Sequence, residues 1–197
     1  IRRDLHWING HIPDSSHAIA VDISVSESVF VVMGPDARSF LQPLIPQSLE
    51  NKDFPFGTMQ PIEIGHAIAR AHRVSYVGEL GWELYVSADM SAHVFETIAA
   101  RRKDHPLAMC GLHALDSCRI EKGFRHFGHD ISNEDHVLEA GLGFAVKENK
   151  QPSKFGPMIG ADAVKAKRND GLSQRLMQFR LEDPDPLLYH NEAIYRD

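Results

Sequence analysis

The chain has 197 residues, with 21 Lys and Arg against 27 Asp and Glu and a formal net charge of −6, so no basic excess exists to grip phosphate backbones and nucleic acid is not an expected partner. Hydrophobic residues at 43% and charged residues at 24% suit a globular chain, and the longest apolar run, Val29-Phe30-Val31-Val32-Met33, is far below the ~20 residues of a membrane helix. Two cysteines, Cys110 and Cys118, in a chain long enough to bury its own core require no disulfide and suit a reducing compartment, which makes a cytoplasmic location the expectation.

The chain opens on Ile1 without a charged-then-apolar leader, and its last residues, Asn191 to Asp197, resemble a strand interrupted before its turn. The expectation is a piece of a longer polypeptide. Residues 1–20 follow neither a helical nor a strand period and read as a connecting segment. Between Val21 and Met33 β-branched residues concentrate, and Val29, Val31 and Met33 alternate with Phe30 and Val32, predicting a strand buried on both faces. Gly34-Pro35-Asp36 stops it, and Pro35 suits the first position of a helix whose apolar face carries Ala37, Phe40, Leu41 and Leu44. Pro43, Pro46, Pro55 and Pro61 mark residues 43–61 as loop with at most a short helix.

Ile62 to Val77 alternates as one or two strands, Gly78-Glu79-Leu80-Gly81 predicts a tight turn, and Trp82 to Val86 forms the returning strand of a hairpin. A helix follows, capped by Ser87 or Asp89, striped by Met90, Val94 and Ile98, and closed by the basic run Arg101-Arg102-Lys103. Gly111 to Gly123 is a second helix with Leu112, Leu115 and Ile120 near one face. Residues 124–147 read as short extended pieces, and Glu139 is expected to fix the turn before Gly141. Lys150 to Lys154 resembles a linker, Ile159 to Lys167 a short helix, and Arg175 to Leu181 a strand opening a new β unit. Without a strict βαβα rhythm, the expected class is α+β: mixed or antiparallel sheets with packed helices, followed by the start of a C-terminal β-barrel-like domain.

Standard cofactor signatures are missing. Gly141 and Gly143 supply two glycines of a dinucleotide fingerprint, but the third position is Val146. No phosphate loop, serine elbow or paired CxxC occurs. Twelve histidines invite a metal reading, and His126-Phe127-Gly128-His129-Asp130 is the best cluster. Gly128 argues against the helix that would align its two rings, so no metal ligand is assigned.

The informative stretch is Arg73 to Val86. If Trp82 to Val86 is a strand, Glu83 and Tyr85 share one face while Trp82, Leu84 and Val86 share the other. With Tyr76 on the partner strand, an aromatic wall would stand beside an acceptor-only carboxylate, an arrangement suited to a flat heterocycle bearing adjacent N–H donors, such as a pterin or guanine. Pattern alone leaves a second reading open, in which these rings pack across strands and Glu83 is a solvated charge.

The blocks RVSYVGELGWELYV, GLHALDSCRIEKGFRHFGHDIS, LEAGLGFAVK and FGPMIGADAV resemble, in order and spacing, the folate-binding family of the glycine-cleavage T-protein. GELGWELY and IEKGFRHFGHD are more similar to the folate-binding portion of the sarcosine and dimethylglycine dehydrogenases, flavoproteins that demethylate N-methylated glycines. The resemblance implies residues 1–47 as the end of a first folate-binding subdomain, 48–150 as a folate-binding α+β subdomain, and 151–197 as linker and start of the C-terminal β domain. It implies tetrahydrofolate as cofactor, FAD only in an upstream domain of the same polypeptide, an N-methylated glycine-type substrate, and the mitochondrial matrix as the location in a eukaryote; the short apolar runs lead to the expectation of no membrane partner.

Carried onto matching positions, the resemblance places the pterin-binding carboxylate at Glu83, flanked by Leu84 and Tyr85, with further contacts from Tyr76 and from Phe144 after the EAGL block. T-proteins carry a folate-contacting Arg where this chain has Leu115. The family's mechanistic aspartate lies in a region before the start of this chain. Asp22 is not that residue, so no catalytic residue is assigned and the isolated chain is expected to be inactive. The expected function is the folate-dependent one-carbon (aminomethyl or methylene) transfer region of an FAD-linked sarcosine or dimethylglycine dehydrogenase-like enzyme. The alternatives are a free-standing glycine-cleavage aminomethyltransferase and a non-catalytic folate-binding module.

Overall fold

A computed structural model describes residues 1–147, 158–189 and 192–195, which form two compact units, Ile1–Phe124 and Arg125–Asp197. The expected linker over Lys150 to Lys154 lies outside the described residues. No helix among the described residues is long and apolar enough to cross a membrane.

The first unit is built on four strands, β1 (Glu27–Met33), β2 (Met59–Ile64), β3 (Ala67–His72) and β4 (Gly81–Ser87), in the antiparallel order β1-β4-β3-β2. Its α-helices are α1 (Arg2–Gly10), α2 (Ala37–Leu41), α3 (Ser91–Ala100) and α4 (Leu112–Glu121). One sheet face is dry. Val32 of β1, Trp82, Leu84 and Val86 of β4, Ala67, Ala69 and Ala71 of β3, and Ile62 and Ile64 of β2 are buried there with Val94 and Ile98 of α3 and Phe40 and Leu41 of α2. The three alanines of β3 are small enough for this layer to close over the middle of the sheet. The α+β class with an antiparallel sheet and packed helices follows directly from these elements.

Several local expectations give way. Residues 2–10 are helix α1 rather than a connector; Leu5 and Ile8 share one side of it, but a stripe of two residues is too short to stand out as a period, and no residue of the helix is buried. Strand β1 begins at Glu27, not Val21, and is covered on one face only, with Val29 48% and Val31 49% exposed. Pro61 sits inside β2, and a proline is tolerated there because β2 is an edge strand of the sheet. On α4, Leu112 and Ile120 are exposed while Arg119 is buried, its guanidinium bonded to Asp116 at 2.6 Å and to the Phe124 carbonyl at 3.1 Å. The expected apolar face of this helix is therefore not its packed face.

The predicted hairpin also changes form. The tight turn is Gly65–His66 between β2 and β3, whereas β3 and β4 are joined by the longer loop 73–80. Gly78 and Gly81 serve close approach. A Cβ on Gly78, at φ +80°, would lie 2.5 Å from the Lys122 side chain, and one on Gly81 would lie 2.6 Å from the Val32 carbonyl oxygen.

The second unit contains one α-helix among its described residues, α5 (Ala161–Asp170), close to the expected Ile159–Lys167. No strand occurs among its described residues, only an isolated bridge between Phe127 and Ile131. Arg175 to Leu181, predicted as a strand, has the right alternation but no ladder partner among the described residues, and alternation without pairing does not make a strand. The start of a β-barrel is thus absent from the described residues.

Glu139 anchors this unit rather than the turn before Gly141. Its buried carboxylate accepts from Lys167 at 2.7 Å, Ser173 at 3.1 Å and Gln174 at 3.4 Å. The Lys167 hydrogen bond, then the Ser173 hydroxyl, hold its pKa below the ordinary 4.5 against the opposing effect of burial. A depressed carboxylate contributes stability that is fully present above pH 4.5 and disappears as pH falls through the lowered native value. Glu139→Gln should remove that component, so acid melts of the two proteins should differ most above pH 4.5 and converge in stronger acid. Parallel melts at every pH would show that the carboxylate contributes nothing of this kind.

Candidate functional site

The alternation of β4 sorts its side chains as period two requires: Trp82, Leu84 and Val86 are buried, and Glu83 and Tyr85 look out from the opposite face, half-buried. Register places Val31 and Val29 of β1 beside Glu83 and Tyr85 on one side. His72 and Arg70 of β3 stand beside the same two residues on the other. The face therefore has an apolar flank and a polar flank with the carboxylate between them.

The Tyr85 hydroxyl donates to Glu83 Oε2 at 2.7 Å. That bond raises the Tyr85 pKa above the ordinary 10.0, with burial and the Glu83 charge adding to the rise and the Arg70 charge opposing it. Losing the phenolic proton would forfeit the bond and set two negative charges side by side. Only one of the roughly four lone-pair sites of the carboxylate is taken up by the phenol, so Glu83 retains acceptor capacity on the open side of the sheet.

Tyr76 is not on the strand opposite Glu83. It lies in the loop 73–80, stacked on Phe124 with centroids 6.1 Å apart and planes at 11°. The loop is tied to the end of β1 by Gly34 N–H donating to the Leu80 carbonyl at 2.8 Å and by the Ser75 hydroxyl to the Met33 sulfur at 3.4 Å. Leu84 is fully buried, so its side chain belongs to the core. Phe144 follows a glycine in a short 3-10 turn of the second unit and is 81% exposed. The structure thus brings Glu83 and Tyr85 together on one face, puts Tyr76 on the preceding loop, and leaves Phe144 in the other unit.

Sequence reasoning missed Arg70, His72, Glu27, Val29 and Val31 as members of this face. Their place depends on register: reading Gly78-Glu79-Leu80-Gly81 as a tight turn hides that of Arg70 and His72, and the pairing of β1 with β4, distant in sequence, hides that of Glu27, Val29 and Val31. In the second unit His126 and His129 stack at 5.5 Å, with His129 Nδ1 3.0 Å from Asp130 Oδ1. Among the described residues no group of three or more His, Cys, Asp or Glu is placed to hold a metal ion.

Comparisons with known proteins place the chain among enzymes. A 4-methylaminobutanoate oxidase (formaldehyde-forming) of Paenarthrobacter nicotinovorans is 38% identical over 90% of this chain and 21% of its own length. Human mitochondrial sarcosine dehydrogenase is 37% identical over 90% of this chain and 19% of its own. An aminomethyltransferase of Shouchella clausii is 33% identical over 93% of this chain and 48% of its own. The chain therefore spans about a fifth of the first two relatives and about half of the third.

Among solved structures, the glycine cleavage system aminomethyltransferase T of Bartonella henselae superposes with a TM-score of 0.67 at 24% identity, covering 87% of this chain and 44% of that one. This likeness supports the α+β fold. The matched region is shared by sarcosine dehydrogenase and aminomethyltransferases, all enzymes. The model of the GCVT N-terminal domain matches residues 1–150, and the chain belongs to that family.

Proposed function

We propose that the chain is the folate-dependent one-carbon transfer region of an FAD-linked sarcosine or dimethylglycine dehydrogenase-like enzyme, with Glu83 as the residue that orients the pterin. The observation that carries this reading is the outward placement of Glu83 on β4, held by Tyr85 and flanked by Val29 and Val31. A pterin presents adjacent N–H donors on one edge and flat apolar faces. A carboxylate with free acceptor capacity beside exposed valines complements both features. Folate, when bound, supplies the nitrogen that takes up a one-carbon unit.

The role of these residues is to bind and orient. Glu83 fixes the heterocycle by charge-assisted hydrogen bonds, and Tyr85 fixes Glu83. Such positioning accelerates capture of a short-lived electrophile through proximity and through exclusion of competing water. Tyr76 is proposed to add a ring contact, and Leu84 to contribute through its strand backbone, its side chain being in the core; the role of Phe144 is proposed from the family resemblance alone. FAD is proposed for a separate domain of the same polypeptide.

A second reading, a free-standing aminomethyltransferase, is favoured by the half-length match to the Shouchella clausii relative. Against it stands Leu115, where the T-protein pattern has an arginine. The intact protein separates the two. The dehydrogenase-like reading expects demethylation of sarcosine or dimethylglycine and suppression of free formaldehyde when tetrahydrofolate is present. Formaldehyde release indifferent to tetrahydrofolate, or no turnover of either amine, would overturn it.

A further inference from the structure

Resting on the folate reading above, we propose that Arg70 is a positioning residue for Glu83: a strap between Arg70 and Glu27 crosses strand β4 and fixes the Tyr85 phenol that holds the carboxylate. In the order β1-β4-β3-β2, Glu27 on β1 and Arg70 on β3 are not on neighbouring strands, and ~10 Å separates the two backbones. Only two long side chains reaching over β4 can meet. They do so: Arg70 Nη2 lies 2.5 Å from both Glu27 oxygens.

The strap runs beside Tyr85, which is Arg70's cross-strand neighbour. The guanidinium carbon lies 5.8 Å from the centre of the Tyr85 ring, within range of a cation–π contact. The ring is thereby held from the β3 side while its hydroxyl donates to Glu83 at 2.7 Å. Three residues on three strands converge on the orientation of one carboxylate. Arg70 is half-exposed, so its contribution lies in fixing geometry more than in ion-pair stability.

The charged and titratable groups around the phenol are Glu27 from β1, Arg70 and His72 from β3, and Glu83 on its own strand. Glu83 raises the phenol's pKa and Arg70 lowers it, which gives the strap a readout that a merely structural residue would lack. The Tyr85 phenol is followed in the intact, ligand-free protein by its tyrosine 13Cζ resonance, assigned with Tyr85→Phe. Arg70→Gln should make it titrate at higher pH, and Glu83→Gln at lower pH.

The same proteins are then titrated with tetrahydrofolate. Arg70→Gln should weaken binding about two- to five-fold, the equivalent of the ~0.5–1 kcal/mol of an exposed cation–π contact. Arg70→Lys should recover the phenol titration but only part of the affinity, because an ammonium lacks the planar fork. Glu27→Gln, which leaves residue 70 in place, should lose affinity to a similar extent and guards against misfolding of the first variant. An Arg70→Gln protein whose Tyr85 titration is unmoved would overturn the proposal. If the unmodified protein fails to bind tetrahydrofolate, the folate reading is overturned instead, and the two failures are distinct because the phenol is read without ligand.

Discussion

Replacing Glu83 by Gln should weaken tetrahydrofolate binding to the intact protein by about 1–3 kcal/mol, roughly 5- to 150-fold in Kd, with little change in melting temperature. The substitution preserves shape but exchanges an acceptor oxygen for an NH2 donor, so a ligand edge that presents donors meets a donor. Stability should hold because Glu83 lies on the open face of the sheet, away from the core side of β4. Calorimetric titration checks the first statement and a thermal melt the second. An unchanged affinity would remove Glu83 from the site.

The neighbouring residue should behave in the opposite way. Trp82 is fully buried, meets Phe54 edge-on at 6.1 Å and 78°, and lies near two guanidiniums, Arg38 at 5.8 Å and Arg73 at 5.7 Å from its ring. Trp82→Ala should cost about 3–5 kcal/mol in denaturant unfolding, from lost burial and the cavity left behind. It would also withdraw the ring over which the two cations sit.

Trp82→Phe should cost clearly less. The indole Nε1 has no hydrogen-bond partner among the described residues, so phenylalanine forfeits area but no bond. A Trp82→Ala protein as stable as the parent would contradict the placement of β4 in the core. Adjacent residues on one strand should thus separate cleanly, Glu83 affecting affinity and Trp82 affecting stability.

That division was legible in the sequence because a strand's side-chain period is two, so the split of Trp82, Leu84 and Val86 from Glu83 and Tyr85 needed no knowledge of neighbours. What depended on neighbours was not legible. Gly78 and Gly81 look like turn residues, yet they serve close packing against Lys122 and the Val32–Met33 backbone. With the turn misplaced, His72 and Arg70 could not be counted into register with Glu83 and Tyr85, and Tyr76 was assigned to a strand it does not occupy.

Burial of charge was equally hidden. Arg119 is a charged residue of α4, yet it is buried, with Asp116 and the Phe124 carbonyl satisfying it inside. Arg175 to Leu181 shows the converse, a strand-like pattern with no strand among the described residues to pair it. The family resemblance singles out Glu83, Leu84, Tyr85, Tyr76 and Phe144 without geometry. In the fold, Leu84 faces the core and the Tyr85 hydroxyl is bonded to Glu83.

Whether the outward face of β4 orients a pterin through Glu83 is decided by a crystal structure of the intact protein bound to a tetrahydrofolate analogue. The donor edge of the heterocycle should lie within hydrogen-bonding distance of the Glu83 carboxylate, with the Tyr85 hydroxyl still on Oε2. A pterin seated elsewhere, with Glu83 turned to solvent, would contradict this orienting role.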